Sequence, residues 1–256
     1  MDKRQFLKGM ILFFPASAAL QTLAQVGAPD EAAANDESAA AYDPSQHWYG
    51  MGIEIEKCIG CNRCVEACKA ENNVPQEPYF FRTWVERYVV KKDGTTVQCI
   101  STEPRRTDET PLRPDDHDAL RSVFVPKLCN HCAHPPCTQV CPGGATFATE
   151  DGVVLVDSQR CIGCRYCIQA CPYGARFFNH RTNTADKCTF CYHRVRQGLL
   201  PACVEVCPTQ ARIFGDLKSK ASRLVRFERL NKINVLKPGL NTEPKVFYAQ
   251  FDGEVR

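Results

Sequence analysis

Cysteine spacing is the feature that most constrains what this chain can fold into. Sixteen of its seventeen cysteines fall into four quartets, and three residues separate the last two cysteines of every quartet. The pattern C-x2-C-x2-C-x3-C occurs twice, at Cys58, Cys61, Cys64 and Cys68 and at Cys161, Cys164, Cys167 and Cys171. The other two quartets are spaced more widely, at Cys129, Cys132, Cys137 and Cys141 and at Cys188, Cys191, Cys203 and Cys207. Proline follows the last cysteine in three of the four quartets.

This spacing is typical of iron–sulfur proteins. In the bacterial ferredoxin pattern C-x2-C-x2-C-x3-C-P, three thiolates bind one cluster and the fourth binds the other cluster of a pair. The four quartets therefore predict sixteen cysteine ligands to iron and four [4Fe–4S] clusters. A series of clusters in one chain favours a role in conducting electrons.

Three other uses of cysteine compete with this interpretation. Disulfides form in exported proteins, but three cysteines crowded into one short loop are poorly placed to form bridges. Structural zinc uses two C-x2-C pairs for each ion, whereas here three cysteines are close together and the fourth is remote. A redox-active C-x-x-C dithiol does not account for sixteen cysteines. The cluster interpretation is therefore favoured.

Composition and charge narrow the possible functions further. The formal net charge is +3, from 32 basic and 29 acidic residues, which argues against a nucleic-acid-binding role. Hydrophobic residues make up 44% of the chain, but many of them are cysteine and alanine. The clusters are therefore expected to replace much of the apolar core, and removal of iron is expected to unfold the protein.

Residues 1–28 have the organisation of an export signal, because Lys3, Arg4 and Lys8 flank or precede short apolar runs. The sequence Lys-Arg-Gln-Phe-Leu-Lys at residues 3–8 resembles the twin-arginine export motif, with Lys3 in place of the first arginine. That route exports folded proteins and suits a chain whose clusters are inserted in the cytoplasm. A periplasmic location, peripheral to the membrane, is predicted.

The next segment, residues 29–49, is rich in Ala, Asp, Glu and Ser and is predicted to be a flexible linker. Beyond it, no segment reaches the roughly 18 continuous apolar residues that a membrane span requires. The mature protein is therefore expected to be soluble by itself and to associate with a membrane only through a partner.

The pattern of apolar and turn residues predicts an α+β fold with short β-hairpins, long loops and one helix near the C-terminus. Strands are predicted at residues 52–56, 79–90, 95–100, 123–125, 145–149, 153–157, 175–178 and 211–214. Two turn signals, Asp93-Gly94 and Glu150-Asp151-Gly152, predict hairpins. Residues 102–118 are predicted to form a loop, residues 217–225 an amphipathic helix, and the tail from Lys237 an extended segment.

The order of quartets suggests two ferredoxin-like units. Cluster, hairpin, cluster is the layout of a two-cluster ferredoxin, so the second and third quartets are expected to pair within residues 129–180. The first and fourth quartets are then left to pair across the chain. That outer unit would combine residues 50–128, with an inserted hairpin, and residues 181–256, with the helix and tail. Spacing alone leaves other pairings open.

Longer stretches of sequence resemble a known family. They are CIGCNRCVEACKAENN at 58–73, LCNHCAHPPC at 128–137, RCIGCRYC at 160–167, CPYGAR at 171–176, KCTFC at 187–191 and KPGLNTEPKVFY at 237–248. They are similar to the four-cluster electron-transfer (beta) subunits of the dimethyl sulfoxide reductase family of complex iron–sulfur molybdoenzymes. The subunits of polysulfide, tetrathionate and nitrite reductase systems are similar, as is the exported ferredoxin-like subunit of the sulfite-reduction-associated membrane complex.

The resemblance implies four clusters with interleaved ligands. One would be held by Cys58, Cys61, Cys64 and Cys207, and another by Cys68, Cys188, Cys191 and Cys203. A third would be held by Cys129, Cys132, Cys137 and Cys171, and a fourth by Cys141, Cys161, Cys164 and Cys167. The sequence departs from the ferredoxin pattern at Lys69, where proline would be expected.

The resemblance also implies the role and the partners. The chain would be a non-catalytic subunit that relays electrons between a quinone-reactive membrane subunit of the polysulfide reductase type and a second partner. That partner would be a molybdopterin catalytic subunit or a multihaem cytochrome.

Two alternatives belong to other functional classes. A free-standing periplasmic polyferredoxin would shuttle electrons between soluble enzymes, and it predicts strongly charged docking faces that the near-neutral charge does not favour. A structural zinc scaffold predicts a colourless protein, whereas iron–sulfur clusters give a brown one.

Several residues outside the quartets are weaker candidates. Cys99 is predicted to be a buried core thiol on a strand. Four histidines lie close to quartet cysteines and are expected at the surface or in packing roles. The alternative is that they tune a cluster potential through a hydrogen bond. They are His131, His134, His180 and His193. Three cations also lie near quartet cysteines and are expected at the solvated surface. The alternative is that their positive charge raises the potential of a neighbouring cluster. They are Arg165, Arg176 and Lys187.

Overall fold

The structure is a computed structural model, and it describes residues 42–77, 80–101 and 118–250. Within these ranges the fold is α+β, as predicted, with small sheets and mostly one-turn helices. The helices are α1 (Arg63–Glu71), α2 (Pro136–Gln139), α3 (Tyr166–Gln169), α4 (Tyr192–Val195), α5 (Ala202–Glu205) and α6 (Arg223–Leu230). The strands are β1 (Tyr49–Glu54), β2 (Thr83–Lys91), β3 (Thr96–Ser101), β4 (Ala119–Leu128), β5 (Thr146–Ala148), β6 (Val154–Val156), β7 (Arg176–Asn179), β8 (Thr184–Lys187), β9 (Arg212–Asp216), β10 (Ile233–Asn234) and β11 (Val246–Ala249).

The largest sheet joins the two ends of the described chain, in the order β10-β11-β1-β9. Strand β1 pairs in parallel with β11, with Met51 opposite Val246, and antiparallel with β9, with Met51 opposite Phe214. The predicted extended tail is therefore partly a core strand, since Val246 and Tyr248 are fully buried. The sequence pattern did not predict this role for β11.

Strand β1 shows why its sequence alternates large residues with glycine. Met51 and Ile53 point into the main core, where both are fully buried. A Cβ atom on Gly52 would lie 2.7 Å from the ring of Phe227, so glycine lets α6 pack closely against the strand. Helix α6 begins at Arg223, after Ser222 caps it by accepting a hydrogen bond from the Leu224 amide at 3.3 Å. The helix prediction was right in type, but its start at residue 217 was six residues too early.

A second sheet has the order β3-β2-β4 and leads the chain to the second quartet. The predicted Asp93-Gly94 turn joins β2 and β3, and the Asp93 carboxylate accepts a hydrogen bond from the Thr95 amide at 2.8 Å. Strand β4 is ten residues long rather than three, and it ends directly before Cys129. Except for Asp118, the predicted loop at residues 102–118 lies outside the described residues.

Two small hairpins follow the second and third quartets. The hairpin β5–β6 was predicted from its turn residues, whereas the pairing of β7 with β8 was not. Because β7 and β8 flank residue 180, the predicted boundary of the inner unit at that residue divides a hairpin. A break placed before residue 188 would keep the hairpin intact.

The described chain begins inside the segment predicted as a linker. The Tyr42 hydroxyl donates a hydrogen bond to the buried Asp151 carboxylate, and His47 Nδ1 lies 2.8 Å from Asp216 Oδ2. These contacts show that Tyr42 and His47, which lie in the predicted linker, pack against the folded part of the described chain. The predicted export signal at 1–28 and the rest of the linker lie outside the described residues. None of the helices in the described part of the chain has the length and apolar character needed to cross a membrane.

Candidate metal centres

The sixteen quartet cysteines line four separate cavities, which we call sites A to D. Site A is lined by Cys58, Cys61, Cys64 and Cys207, and site B by Cys68, Cys188, Cys191 and Cys203. Site C is lined by Cys129, Cys132, Cys137 and Cys171, and site D by Cys141, Cys161, Cys164 and Cys167. Each cavity encloses about 270 to 330 Å³ free of protein atoms, including its opening to solvent. The structure thus brings the sixteen cysteines together in the same four sets that the family resemblance implies.

Glycine shapes the two compact cysteine loops. In each Cys-Ile-Gly-Cys sequence the glycine has a positive φ, +68° at Gly60 and +70° at Gly163. A Cβ atom at Gly60 would lie 2.5 Å from the Phe124 ring, and one at Gly163 would lie 2.8 Å from the Asn183 carbonyl oxygen. Both the backbone conformation and the lack of space therefore require glycine here.

Short helices connect neighbouring sites. Helix α1 carries Cys64 of site A and, four residues later, Cys68 of site B, a rise of about 6 Å along the helix axis. The chain returns between the same two sites through α5, which carries Cys203 of site B and is followed by Cys207 of site A. Sites A and B are therefore neighbours.

Sites C and D are connected in the same way. Helix α2 carries Cys137 of site C and is followed by Cys141 of site D, while α3 carries Cys167 of site D and is followed by Cys171 of site C. Cys137 and Cys167 also belong to one buried cluster of side chains. Each pair of sites thus exchanges its fourth cysteines.

Aromatic packing connects sites B and C. His131 lies between two cysteines of site C, and its ring stacks on Phe190, which lies between two cysteines of site B, with ring centroids 3.7 Å apart. Burial raises the pKa of the Cys188 thiol in site B, and Cys129 in site C contributes to the shift. The contacts therefore give the order A, B, C, D.

Most of the thiols are shielded from water. Burial raises the pKa of Cys58 and Cys203 to about 11 and that of Cys132 to about 12. Because metals bind the thiolate form, a metal group in these cavities must supply positive charge and displace the protons. Cys164 in site D is the exception, since it is exposed, and site D is the most accessible of the four.

The histidines divide into one buried residue and three exposed ones. Burial holds the pKa of His131 well below its usual range, so the ring is neutral at neutral pH, and its Nδ1 accepts a hydrogen bond from the Val154 amide at 3.0 Å. His134 and His180 are exposed, and the half-exposed ring of His193 contacts Glu71 at 2.7 Å. These positions agree with packing and surface roles. Cys99 lies in β3 as predicted, but its side chain is outside the described residues.

The cations near the sites were only partly predicted. Arg165 is exposed, as expected, and its guanidinium lies 4.1 Å from the centroid of the Phe178 ring. The expectation of surface positions for Arg176 and Lys187 is wrong, because both are buried among the cysteines. Arg212, which the sequence pattern did not reveal, is buried in the same way and donates a hydrogen bond to the Cys64 thiol at 3.3 Å.

The four cavities fit a thiolate-bound group larger than one ion. Among the described residues, no three Cys, His, Asp or Glu side chains are placed to share a single metal ion. Each set of four thiols instead surrounds open space. Several buried donors have no hydrogen-bond partner in the described structure. Three of them belong to residues that line sites A and C, where acceptors inside the cavities could bind them: Asn130 Nδ2, Arg176 Nε and Arg212 Nη1. The donor set, the space and these donors suit a [4Fe–4S] cluster in each cavity.

Comparison with known proteins gives consistent matches. Two family models, each described as a 4Fe-4S dicluster domain, match residues 57–145 and 120–217. The chain is 44% identical over 253 residues to the tetrathionate reductase B subunit of Salmonella typhimurium, covering 98% of this chain and 89% of the relative. It is 46% identical to the tetrathionate reductase B subunit of Archaeoglobus fulgidus, covering 80% and 83% of the two chains. It is also 38% identical to the protein NrfC of Escherichia coli K12, covering 81% and 83%.

Proposed function

This chain belongs to the iron–sulfur subunits of the dimethyl sulfoxide reductase family, and from that premise we propose that it relays electrons through four [4Fe–4S] clusters in a respiratory oxidoreductase complex. One observation carries the proposal: four cavities, each lined by four cysteines, follow one another in the order A to D. When bound, such clusters take up and release single electrons.

We assign one cluster to each site, with the four lining cysteines as its iron ligands. The role of the chain is then to hold the thiolates, to keep water away from the buried sites and to keep successive sites adjacent. The exchange of fourth cysteines supports this assignment, since a shared helix fixes the position of each site relative to its neighbour.

The proposed partners are taken from the family and would bind at the two ends of the series of sites A to D. One end would meet a quinone-reactive membrane subunit of the polysulfide reductase type, and the other a molybdopterin catalytic subunit or a multihaem cytochrome. The names of the relatives, which are subunits of reductases, support assembly into such a complex. The chain itself would be non-catalytic and periplasmic, exported in folded form and bound to the membrane through its partner. The export-like pattern of residues 1–28 supports this location.

Co-purification from detergent-solubilised membranes tests the proposal. The full chain would be tagged at its C-terminus, purified anaerobically and analysed by mass spectrometry together with its visible spectrum. A brown chain that elutes with an integral membrane subunit and a molybdopterin or haem protein supports the relay. A brown chain that elutes alone from the soluble fraction contradicts the complex and favours a free polyferredoxin, and a colourless, zinc-loaded chain contradicts electron transfer.

The export step is tested separately by changing Lys3 and Arg4 to glutamine. We expect this variant to remain in the cytoplasm, whereas changing Asp2 to asparagine should leave the periplasmic fraction unchanged. Equal periplasmic fractions for both variants would contradict export through this signal.

A further inference from the structure

In the described part of the chain, four cations are buried without an ion pair to a carboxylate, and three of them lie between neighbouring sites. The fourth, Lys245, donates to the Gly152 carbonyl oxygen and packs on the Trp48 ring. Arg212, Lys187 and Arg176 are exposed by only 2%, 1% and 5%. Within the same residues, their hydrogen-bond partners are hydroxyl, thiol and carbonyl groups. An unpaired buried charge costs several kcal/mol, so these cations indicate that negative charge occupies the neighbouring cavities.

Arg212 lies between sites A and B. It lines site A, and its Nη2 donates to the thiol of Cys64 in that site at 3.3 Å. The same nitrogen donates to Oγ1 of Thr83, which lines site B, at 2.7 Å. Although burial opposes it, the cysteines Cys64 of site A and Cys203 of site B raise the pKa of the Arg212 guanidinium.

Arg176 occupies the equivalent position between sites C and D. It lines site C, and its Nη2 donates to the thiol of Cys137 in that site at 3.0 Å. Its Nη1 donates to Oγ1 of Thr146, which lines site D, at 3.3 Å. Arg176 and Arg212 each lie five residues after the last cysteine of a quartet, in a repeated C-P-x-x-A-R sequence. One arginine therefore lies within each pair of sites that exchanges cysteines.

Lys187 lies between the two pairs. Its Nζ donates to the carbonyl oxygen of Cys188, a site B cysteine, at 2.6 Å and to the carbonyl oxygen of Val154, which lines site C. Burial lowers the pKa of Lys187, and the nearby cysteines Cys129 of site C and Cys188 of site B oppose that shift. Cations and sites thus alternate as A, Arg212, B, Lys187, C, Arg176, D.

We propose that these three residues are positioning charges that raise the reduction potentials of the two clusters on either side of each cation. The inference rests on the cluster assignment proposed above and goes beyond it. A cluster held by four thiolates becomes more negative when it accepts an electron, and net charge and hydrogen bonds to sulfur set its potential. A buried cation is weakly screened, so it favours reduction of both neighbours and offsets the repulsion between them.

Redox titration of glutamine variants tests the inference. The full-length chain, purified anaerobically with its bound subunits, would be titrated for the wild type and for Arg212→Gln, Lys187→Gln and Arg176→Gln. Electron paramagnetic resonance would follow the four clusters. Each variant should disfavour reduction of two clusters at least tenfold, equivalent to about 59 mV for a one-electron couple.

The pattern of affected clusters makes the test specific. The Arg212 and Arg176 variants should affect two different pairs, whereas the Lys187 variant should affect one member of each pair. Arg212→Lys and Arg176→Lys should restore most of the wild-type potentials because they keep the charge. Arg165→Gln, which removes an exposed cation close to site D, should change no potential by tenfold.

Four results would overturn the inference: shifts below tenfold in all three glutamine variants, equal shifts of all four clusters, a shared pair for Arg212 and Arg176, or loss of clusters from every glutamine variant. The last would assign the cations to cluster assembly. A wild-type protein without iron would instead refute the proposed function itself, so the two failures are distinguishable.

Discussion

Gly60 offers a sharp test of how the site A loop is built. We expect Gly60→Ala to weaken site A selectively, because the substitution combines two costs. A non-glycine residue at the positive φ of this position costs about 1–2 kcal/mol. The added Cβ would also lie 2.5 Å from the Phe124 ring, and such overpacking costs a further 1–3 kcal/mol or so. The sum is about 2–5 kcal/mol.

The measurement is anaerobic urea denaturation followed by visible absorbance, together with the iron content of the purified protein. Gly198→Ala is the matched control, because Gly198 has a similar φ of +76° but no described atom within 4 Å of an added Cβ. The control should show only the backbone cost of about 1–2 kcal/mol and keep its iron. Gly60→Ala should lose up to about one quarter of the iron, the share of one cluster in four.

A double mutant separates the two costs. In a Phe124→Ala background the steric contact is gone, so Gly60→Ala should add only the backbone cost of about 1–2 kcal/mol. The reasoning would be refuted if Gly60→Ala and Gly198→Ala were equally stable, or if the effect of Gly60→Ala were the same with and without the Phe124 ring.

Three further predictions concern stability. Glu86→Ala should destabilise the protein by about 3–5 kcal/mol in urea titrations, because it leaves the buried Lys127 ammonium without the carboxylate 2.5 Å away. The control is Glu77→Ala, which removes an exposed ion pair, and an equal effect of the two substitutions would contradict the prediction. Tyr42→Phe should cost about 1–3 kcal/mol by removing a hydrogen bond to the buried Asp151 carboxylate. An unchanged urea midpoint would show that this hydrogen bond does not stabilise the fold. Chelation of iron should abolish the near-ultraviolet circular dichroism, because nine of the sixteen quartet cysteines are buried and the protein packs around the metal sites. A native-like spectrum after complete iron loss would contradict a metal-dependent core.

Most features of the cysteine sites could be predicted from the sequence because the geometry of each cysteine loop is local. Two residues between cysteines, a glycine at positive φ and a following helix are encoded within about ten residues. The exchange of Cys68 and Cys207 between sites A and B is not local, since these residues are far apart in sequence. Spacing left that pairing open, and the family resemblance supplied it.

The missed features depend on contacts between distant segments. Strand β11 joins the central sheet because it pairs with β1, about 195 residues earlier, and nothing in its own sequence identifies that partner. Arg212 contacts Cys64 across 148 residues, so its burial could not be read from its neighbours. One signal was nevertheless present in the sequence, because C-P-x-x-A-R occurs twice. An arginine repeated at the same distance from a ligand cysteine indicates a shared role near the two sites.

Lys187 was misjudged for a related reason. A lysine next to a cysteine in a polar segment is usually solvated, and the hairpin β7–β8 that buries it was only half predicted. Its two carbonyl partners, at Cys188 and Val154, belong to different sites. The burial of this lysine therefore follows from the way sites B and C pack, which only the three-dimensional structure reveals.

The most direct test of the central claim is the iron and acid-labile sulfide content of the anaerobically purified full-length protein. Four [4Fe–4S] clusters require iron and sulfide in equal amounts, about sixteen of each per chain. That result would support one cluster in each of sites A to D. About half that amount in an intact, folded chain, or zinc without sulfide, would contradict the assignment.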